Sequence, residues 1–236
     1  MEKKHKIHFA IVYSLLFLVV GWLIFSHFSQ PPSAQWIFNN NFRTVVELRA
    51  FNQDEPKVVA YGSAVAINNN GEFVTNAHII SYRVLAEDLV FDTLQIRFAT
   101  SDNFISANLV RIDIDIDLAL IQVDANNLRV NPARIRTSTL QEGETVYAIG
   151  NGQNYGISIT SGMISQRELY VVADGRKIKA IQTSVNITGG NSGGALIDVR
   201  GMLIGITSFR LRDASGNTVF GISFALPISV VMRFLE

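Results

Sequence analysis

Ser192 stands between two pairs of glycines in Thr188-Gly-Gly-Asn-Ser-Gly-Gly-Ala-Leu-Ile197, directly before an apolar run with the pattern of a buried strand. Glycine is used where the backbone takes a positive φ or comes unusually close to something else. Two readings of the loop follow: a turn or bulge whose serine is incidental, or a nucleophile at a tight turn whose backbone N–H groups face a developing negative charge. A serine nucleophile needs a base, most often histidine. His5, His8 and His27 flank an apolar N-terminal segment, so His78 is the candidate in the rest of the chain. Its plain alternative is a hydrogen-bonded histidine at a strand end. The third member would be a carboxylate that fixes the imidazole tautomer and stabilises its charged form. In Arg111-Ile-Asp-Ile-Asp-Ile-Asp-Leu-Ala-Leu-Ile121 the alternation puts Ile112, Ile114 and Ile116 on one face and the aspartates on the other, up to where polarity stops. Asp113 and Asp115 are expected to face water, and Asp117 to sit where the strand enters the interior. A buried carboxylate needs a partner, and His78 is the one proposed.

Composition removes several chemistries. Without cysteine there are no disulfides, thiolate metal sites or thiol nucleophiles. One histidine outside the N-terminal segment, without cysteines, is a poor ligand set, so no metal or organic cofactor is expected. Twenty basic residues balance twenty acidic ones, which argues against a nucleic-acid partner held by phosphate neutralisation.

The elements that must position these residues are short strands. Val45–Phe51, Val58–Ile67, Phe73–Thr75, Leu94–Phe98, Ala107–Ile112, Leu118–Val123, Val146–Ile149, Ile157–Ile164, Ile178–Thr183, Leu203–Phe209 and Val219–Ala225 are apolar or alternating, with turn-type clusters between them. Such spacing suggests a sandwich or barrels. Helical periodicity is confined to Ala77–Val84 and a closing helix from Pro227. The polar stretch Asn126–Thr137 is the expected bridge between two halves.

Chain order narrows the chemistry. The α/β-hydrolase elbow places its histidine after the serine, and none follows Ser192. Subtilisin order would need an aspartate before His78, for which Asp54 is a candidate, but that fold is α/β. His78, Asp117, Ser192 is the chymotrypsin-type order.

Thr75-Asn-Ala-His-Ile-Ile80, Asp117-Leu-Ala-Leu-Ile121, Ala148-Ile-Gly-Asn151, Gly189-Gly-Asn-Ser-Gly-Gly-Ala-Leu196 and Gly221-Ile-Ser-Phe-Ala-Leu-Pro227 resemble, in order, the signatures of the HtrA/Deg family of trypsin-like serine proteases. The resemblance covers about residues 45 to 236. It implies an all-β, chymotrypsin-like double β-barrel (about 38–126 and 138–226, closed by a helix over 227–236), with the site between barrels. It further implies an exported protein acting on misfolded or signalling proteins, usually as a homotrimer. His78 would be the base, Asp117 its orienting partner and Ser192 the nucleophile. The oxyanion would lie at the Gly190-Asn191-Ser192 backbone, held by the N–H groups of Gly190 and Ser192. Asn186 and Ile187 would line an uncharged primary pocket preferring small or medium aliphatic side chains, with plain core packing as the alternative for Ile187. Trp36, Phe38 and Phe42 are candidates for trimer contacts, with a core role or a membrane-surface belt as alternatives. Family members typically continue into PDZ domains that bind exposed C-termini; here the expectation is a DegS-like, membrane-anchored protease without one. A catalytically silent, membrane-tethered binding or chaperone-like module with a collapsed oxyanion hole is the competing reading. Asn151–Gly156 and Gln166–Arg176 are switch-loop candidates, with ordinary surface loops as the alternative.

The N-terminus is a segment apart. Lys3, Lys4 and Lys6 precede a run without charge from Phe9 to Phe25, whose 17 residues would rise about 25 Å as a helix, close to a bilayer core. Residues 1–28 are expected to be a cytoplasmic tip and uncleaved anchor, and 29–37 a stiff proline-containing linker. The protease domain from 38 onward is then expected on the periplasmic side of a bacterial inner membrane.

Overall fold

The computed structural model describes residues 9, 13–22, 31–85, 87–126, 128–173, 175–212, 215 and 217–236. Residues 13–22 are helical. Among the described residues no helix is long and apolar enough to cross a membrane; the lysine-rich tip, residues 10–12 and 23–25 of the apolar run, and His5, His8 and His27 lie outside them.

The folded unit runs from Ala34 to Glu236. It begins inside the stretch expected to be linker: α1 (Ala34–Asn41) buries Ile37 completely. Eight short strands follow, β1 (Val45–Phe51), β2 (Val59–Ala66), β3 (Glu72–Thr75), β4 (Ser81–Val84), β5 (Glu87–Val90), β6 (Thr93–Phe98), β7 (Ile105–Asp113) and β8 (Leu118–Gln122). Six of them close a first barrel in the order β1-β2-β3-β8-β7-β6, sealed by β1–β6 pairing from Val46↔Phe98 to Phe51↔Thr93. Period-2 alternation sends Val46, Leu48 and Ala50 of β1 inward with Phe73, Ile96, Ala119 and Ile121.

The second half contains β9 (Arg134–Ile135), β10 (Thr145–Gly150), β11 (Ser158–Ala173), β12 (Arg176–Thr183), β13 (Ala195–Asp198), β14 (Met202–Arg212) and β15 (Thr218–Pro227). The order β10-β11-β12-β15-β14-β13 returns to β10, so this sheet also closes on itself around Val146, Ile164, Ile181, Leu196 and Ala225. A third cluster joins the barrels: Val45, Val65, Val74 and Leu118 pack against Ile149, Ala195, Ile206 and Leu226, capped by Ile37 and by Val231 and Phe234 of the closing helix Ile228–Leu235. Each fully buried Ile or Leu contributes about 1.5–3 kcal/mol of transfer free energy, which makes this seam a rigid platform.

Three expectations are corrected. The helix foreseen over Ala77–Val84 is one turn, Ala77–Ile80; Ser81–Val84 instead pairs with Glu87–Val90, because a two-stranded ribbon satisfies its backbone groups outside the barrel. The switch-loop candidate 166–176 is mostly strand, since residues 166–173 belong to β11 and β12 begins at Arg176, the two pairing as a hairpin. The alternating aspartate run is not one continuing strand: β7 ends at Asp113, whose Oδ1 accepts the N–H groups of Asp115 (3.0 Å) and Ile116 (3.2 Å), turning the chain before β8. Such side-chain capture of local N–H groups competes with strand pairing.

Candidate active site

His78 lies on the single helical turn Ala77–Ile80, between β3 and β4, and Asp117 on the turn between β7 and β8. Because β3 pairs with β8, the two turns meet at one end of the first barrel. Asp117 holds a φ of +59°, a left-handed conformation that side chains seldom adopt and that persists where surrounding contacts enforce it. Those contacts are present. Its carbonyl accepts Asn76 Nδ2 (3.0 Å), and its carboxylate accepts the His78 N–H (3.0 Å) and lies 2.9 and 3.0 Å from His78 Nδ1. The residue is 7% exposed, whereas the His78 side chain is 45% exposed. Facing a carboxylate that serves as acceptor throughout, Nδ1 carries the ring proton, which leaves the Nε2 lone pair for a substrate-side proton.

Ser192 reaches the same place from the second barrel. Its hydroxyl donates to the Ser208 carbonyl (2.5 Å), and the Ser208 hydroxyl donates to Asp117 Oδ2 (2.7 Å). The three residues singled out from the sequence therefore converge through a fourth, Ser208 on β14. A hydroxyl has one proton, and that of Ser192 lies on Ser208 rather than on the imidazole.

The loop before Ser192 is fixed by close approach. Asn191 N–H donates to Thr188 O (3.0 Å), closing a turn with Gly190 at φ +89°, the positive value that a type II turn needs at its third residue. A Cβ on Gly190 would lie 2.1 Å from Asn151 O, and one on Gly193 would lie 2.0 Å from Ser63 O. Ser63 Oγ donates to Gly190 O (2.8 Å), Ser63 N–H donates to Ser192 O (2.8 Å), and Gly193 N–H donates to Asn76 Oδ1 (2.7 Å). The first barrel thus holds the serine loop of the second. Among the described residues, the N–H groups of Gly190 and Ser192 donate to no protein acceptor, whereas that of Asn191 is taken by the turn. Two such donors beside a hydroxyl are the groups that stabilisation of an oxyanion requires.

The family profile described as trypsin-like peptidase domain matches residues 62–206, which contain His78, Asp117 and Ser192. Serine endoprotease DegS of Haemophilus influenzae is 32% identical over 207 residues, 87% of this chain and 57% of that protein. The chain belongs to the HtrA/Deg family of trypsin-like serine proteases. Mitochondrial serine protease HTRA2 of Drosophila virilis is 34% identical over 185 residues, covering 77% of this chain and 40% of that protein. The HtrA-type protease AlgW, solved with a tripeptide, superimposes with a TM-score of 0.70 at 28% identity, over 86% of this chain and 62% of that one. The serine endoprotease of Yersinia pestis gives 0.67 at 27% identity, over 88% and 67%. This HtrA/Deg chain thus spans 57% and 40% of the two curated relatives' lengths.

Several residues of this HtrA/Deg site escaped the sequence reading. Ser63, Asn76 and Ser208 are small polar residues within apolar strands or at their ends, and all three are buried. A polar residue inside an apolar run was their signal, since burial demands a partner. The expected pocket pair separates: Asn186 is exposed, while Ile187 is buried at 1% exposure. Neither lines the cleft of about 970 Å³ whose walls include His78, Asp117, Val171, Val172, Phe209 and Arg210.

Proposed function

We propose that this domain is a serine endopeptidase in which Ser192 attacks a peptide carbonyl. His78 accepts the hydroxyl proton and returns it to the leaving amine, Asp117 holds the imidazole, and the N–H groups of Gly190 and Ser192 stabilise the oxyanion. The observation that carries this reading is the linkage His78–Asp117–Ser208–Ser192 across the barrel interface. Attack requires the Ser192 hydroxyl to exchange the Ser208 carbonyl for His78 Nε2 as its acceptor, a change this reading assigns to rotation about χ1. The protein substrates are misfolded or signalling polypeptides, threaded as extended chain through the cleft beside β14. The preference is for cleavage after small or medium aliphatic residues; its support is the uncharged character of Asn186 and Ile187 in the sequence, since neither lines the cleft beside His78.

The charge-free run Phe9–Phe25 behind three lysines supports membrane attachment, with the domain on the extracytoplasmic face of a bacterial inner membrane. Trp36, 45% exposed, and the stacked pair Phe38–Phe42 supply an aromatic surface for a homotrimer.

The Ser192–Ser208 contact favours one competing reading, a silent substrate-binding module. A single experiment separates the two: the full chain is incubated with casein and a serine-reactive fluorophosphonate. Labelling and digestion that are lost in Ser192→Ala and in His78→Ala support the protease. A folded wild type that neither labels nor digests supports the binding module.

A further inference from the structure

Glu47 is a carboxylate on the wall of the first barrel with only 6% exposure. Removing a charge from water requires partners. Its neighbour across the β1–β6 pairing, Arg97, donates from Nη2 to Oε2 (2.8 Å) and from Nε to Oε1 (3.2 Å). Glu47 in turn raises the Arg97 pKa above its ordinary value, chiefly through this hydrogen bonding. The remaining partner lies on the other barrel: Asn151 Nδ2 donates to Glu47 Oε2 (3.0 Å).

Asn151 begins the loop that faces the oxyanion turn. Its Oδ1 accepts the N–H of Gly156 (2.9 Å), clipping the two ends of loop 151–156 together. Its own N–H donates to Ser63 Oγ (2.8 Å), the same hydroxyl that donates to Gly190 O. Inside the clipped loop, Gln153 and Asn154 hold positive φ values of 56° and 62°, and Gln153 N–H donates to Gly189 O (2.6 Å). A trans peptide is planar, with its carbonyl and N–H pointing to opposite sides. A Gly189 carbonyl held toward Gln153 therefore turns the Gly190 N–H the other way, away from that loop.

We infer that Glu47 is a positioning residue for catalysis: its fixed charge orients the Asn151 amide, which clips loop 151–156, which holds the Gly189–Gly190 peptide with its N–H presented to the oxyanion. Asn151 is the relay. The inference rests on the serine protease reading above, and it assigns a role in the chemistry to a carboxylate that touches neither substrate nor triad.

The test is Glu47→Gln in the full chain, which keeps the shape but gives Arg97 or Asn151 an N–H₂ group to face. With a peptide p-nitroanilide, kcat is expected to fall about tenfold or more, short of the roughly 10²–10³ that follows outright loss of one oxyanion donor. KM stays within about twofold, because ground-state binding does not use that donor. Affinity for a peptide boronic acid, which forms a tetrahedral adduct, falls in parallel with kcat. Asn151→Ala is expected to show the same pattern, and the double variant little further loss. Asn151→Ala also serves alone if Glu47→Gln does not fold. Unchanged kcat and boronate affinity in a folded variant overturn the inference, as does an equal loss of substrate and boronate binding. A wild type inert to fluorophosphonate sinks the protease reading instead.

Discussion

The Ser192 hydroxyl donates to the main-chain carbonyl of Ser208 across 2.5 Å, and the Ser208 side chain donates to Asp117 at 2.7 Å. One residue of β14 thus parks the nucleophile with its backbone and steadies the carboxylate with its hydroxyl. Ser208→Ala removes only the second contact. A hydrogen bond to a buried charged group contributes on the order of 1.5–3 kcal/mol. Stopped-time assays of Ser208→Ala should therefore show kcat lowered by about tenfold or more, with fluorophosphonate still attaching to Ser192, only more slowly. A rate equal to wild type would mean that Asp117 is held well enough by His78 alone.

Gly190→Ala tests the turn. The added Cβ would meet Asn151 O at 2.1 Å, and alanine disfavours the φ of +89°. Relief comes most simply by rotating the Gly189–Gly190 peptide, which withdraws its N–H from the oxyanion. The expected result is kcat lower by about 10²–10³ with KM little changed. A crystal structure of the variant should show the Gln153–Gly189 contact broken.

Away from the site, Arg136 donates from Nη2 to Glu144 Oε1 (2.9 Å), and a second bond joins Nη1 to the same carboxylate. This hydrogen bonding holds the Glu144 carboxyl below its ordinary value of 4.5. A depressed carboxyl pKa adds stability that is present above the unfolded value and lost as the pH falls through the folded one. Arg136→Gln should therefore lower the melting temperature near pH 7, by the equivalent of about 1 kcal/mol for so partly exposed a pair. The gap between variant and wild type should shrink below about pH 4.5. Thermal melts from pH 3 to 7 check this, and a gap independent of pH would refute it.

His78, Asp117 and Ser192 were legible as a set because each carries a local mark: a lone histidine, a carboxylate where polarity stops, a serine among glycines. Most strands were legible for a similar reason, since period-2 alternation is written into consecutive residues. The ribbon Ser81–Val90 was not, because its exposed positions lack that alternation. Glu47 and Asn151 looked like an ordinary strand residue and a loop residue. Their sequence separation of 104 hid a 3.0 Å contact.

The sequence by itself determined the chemistry available, a hydroxyl, an imidazole and a carboxylate in one chain order, and the β texture able to carry them. Tertiary structure decided where the Ser192 hydroxyl donates, which N–H groups beside it are left without a protein acceptor among the described residues, and which buried polar residues hold the loop there. Those outcomes depend on angles and distances between the two barrels, and hydrogen bonds across that seam follow from packing rather than from any local pattern of residues.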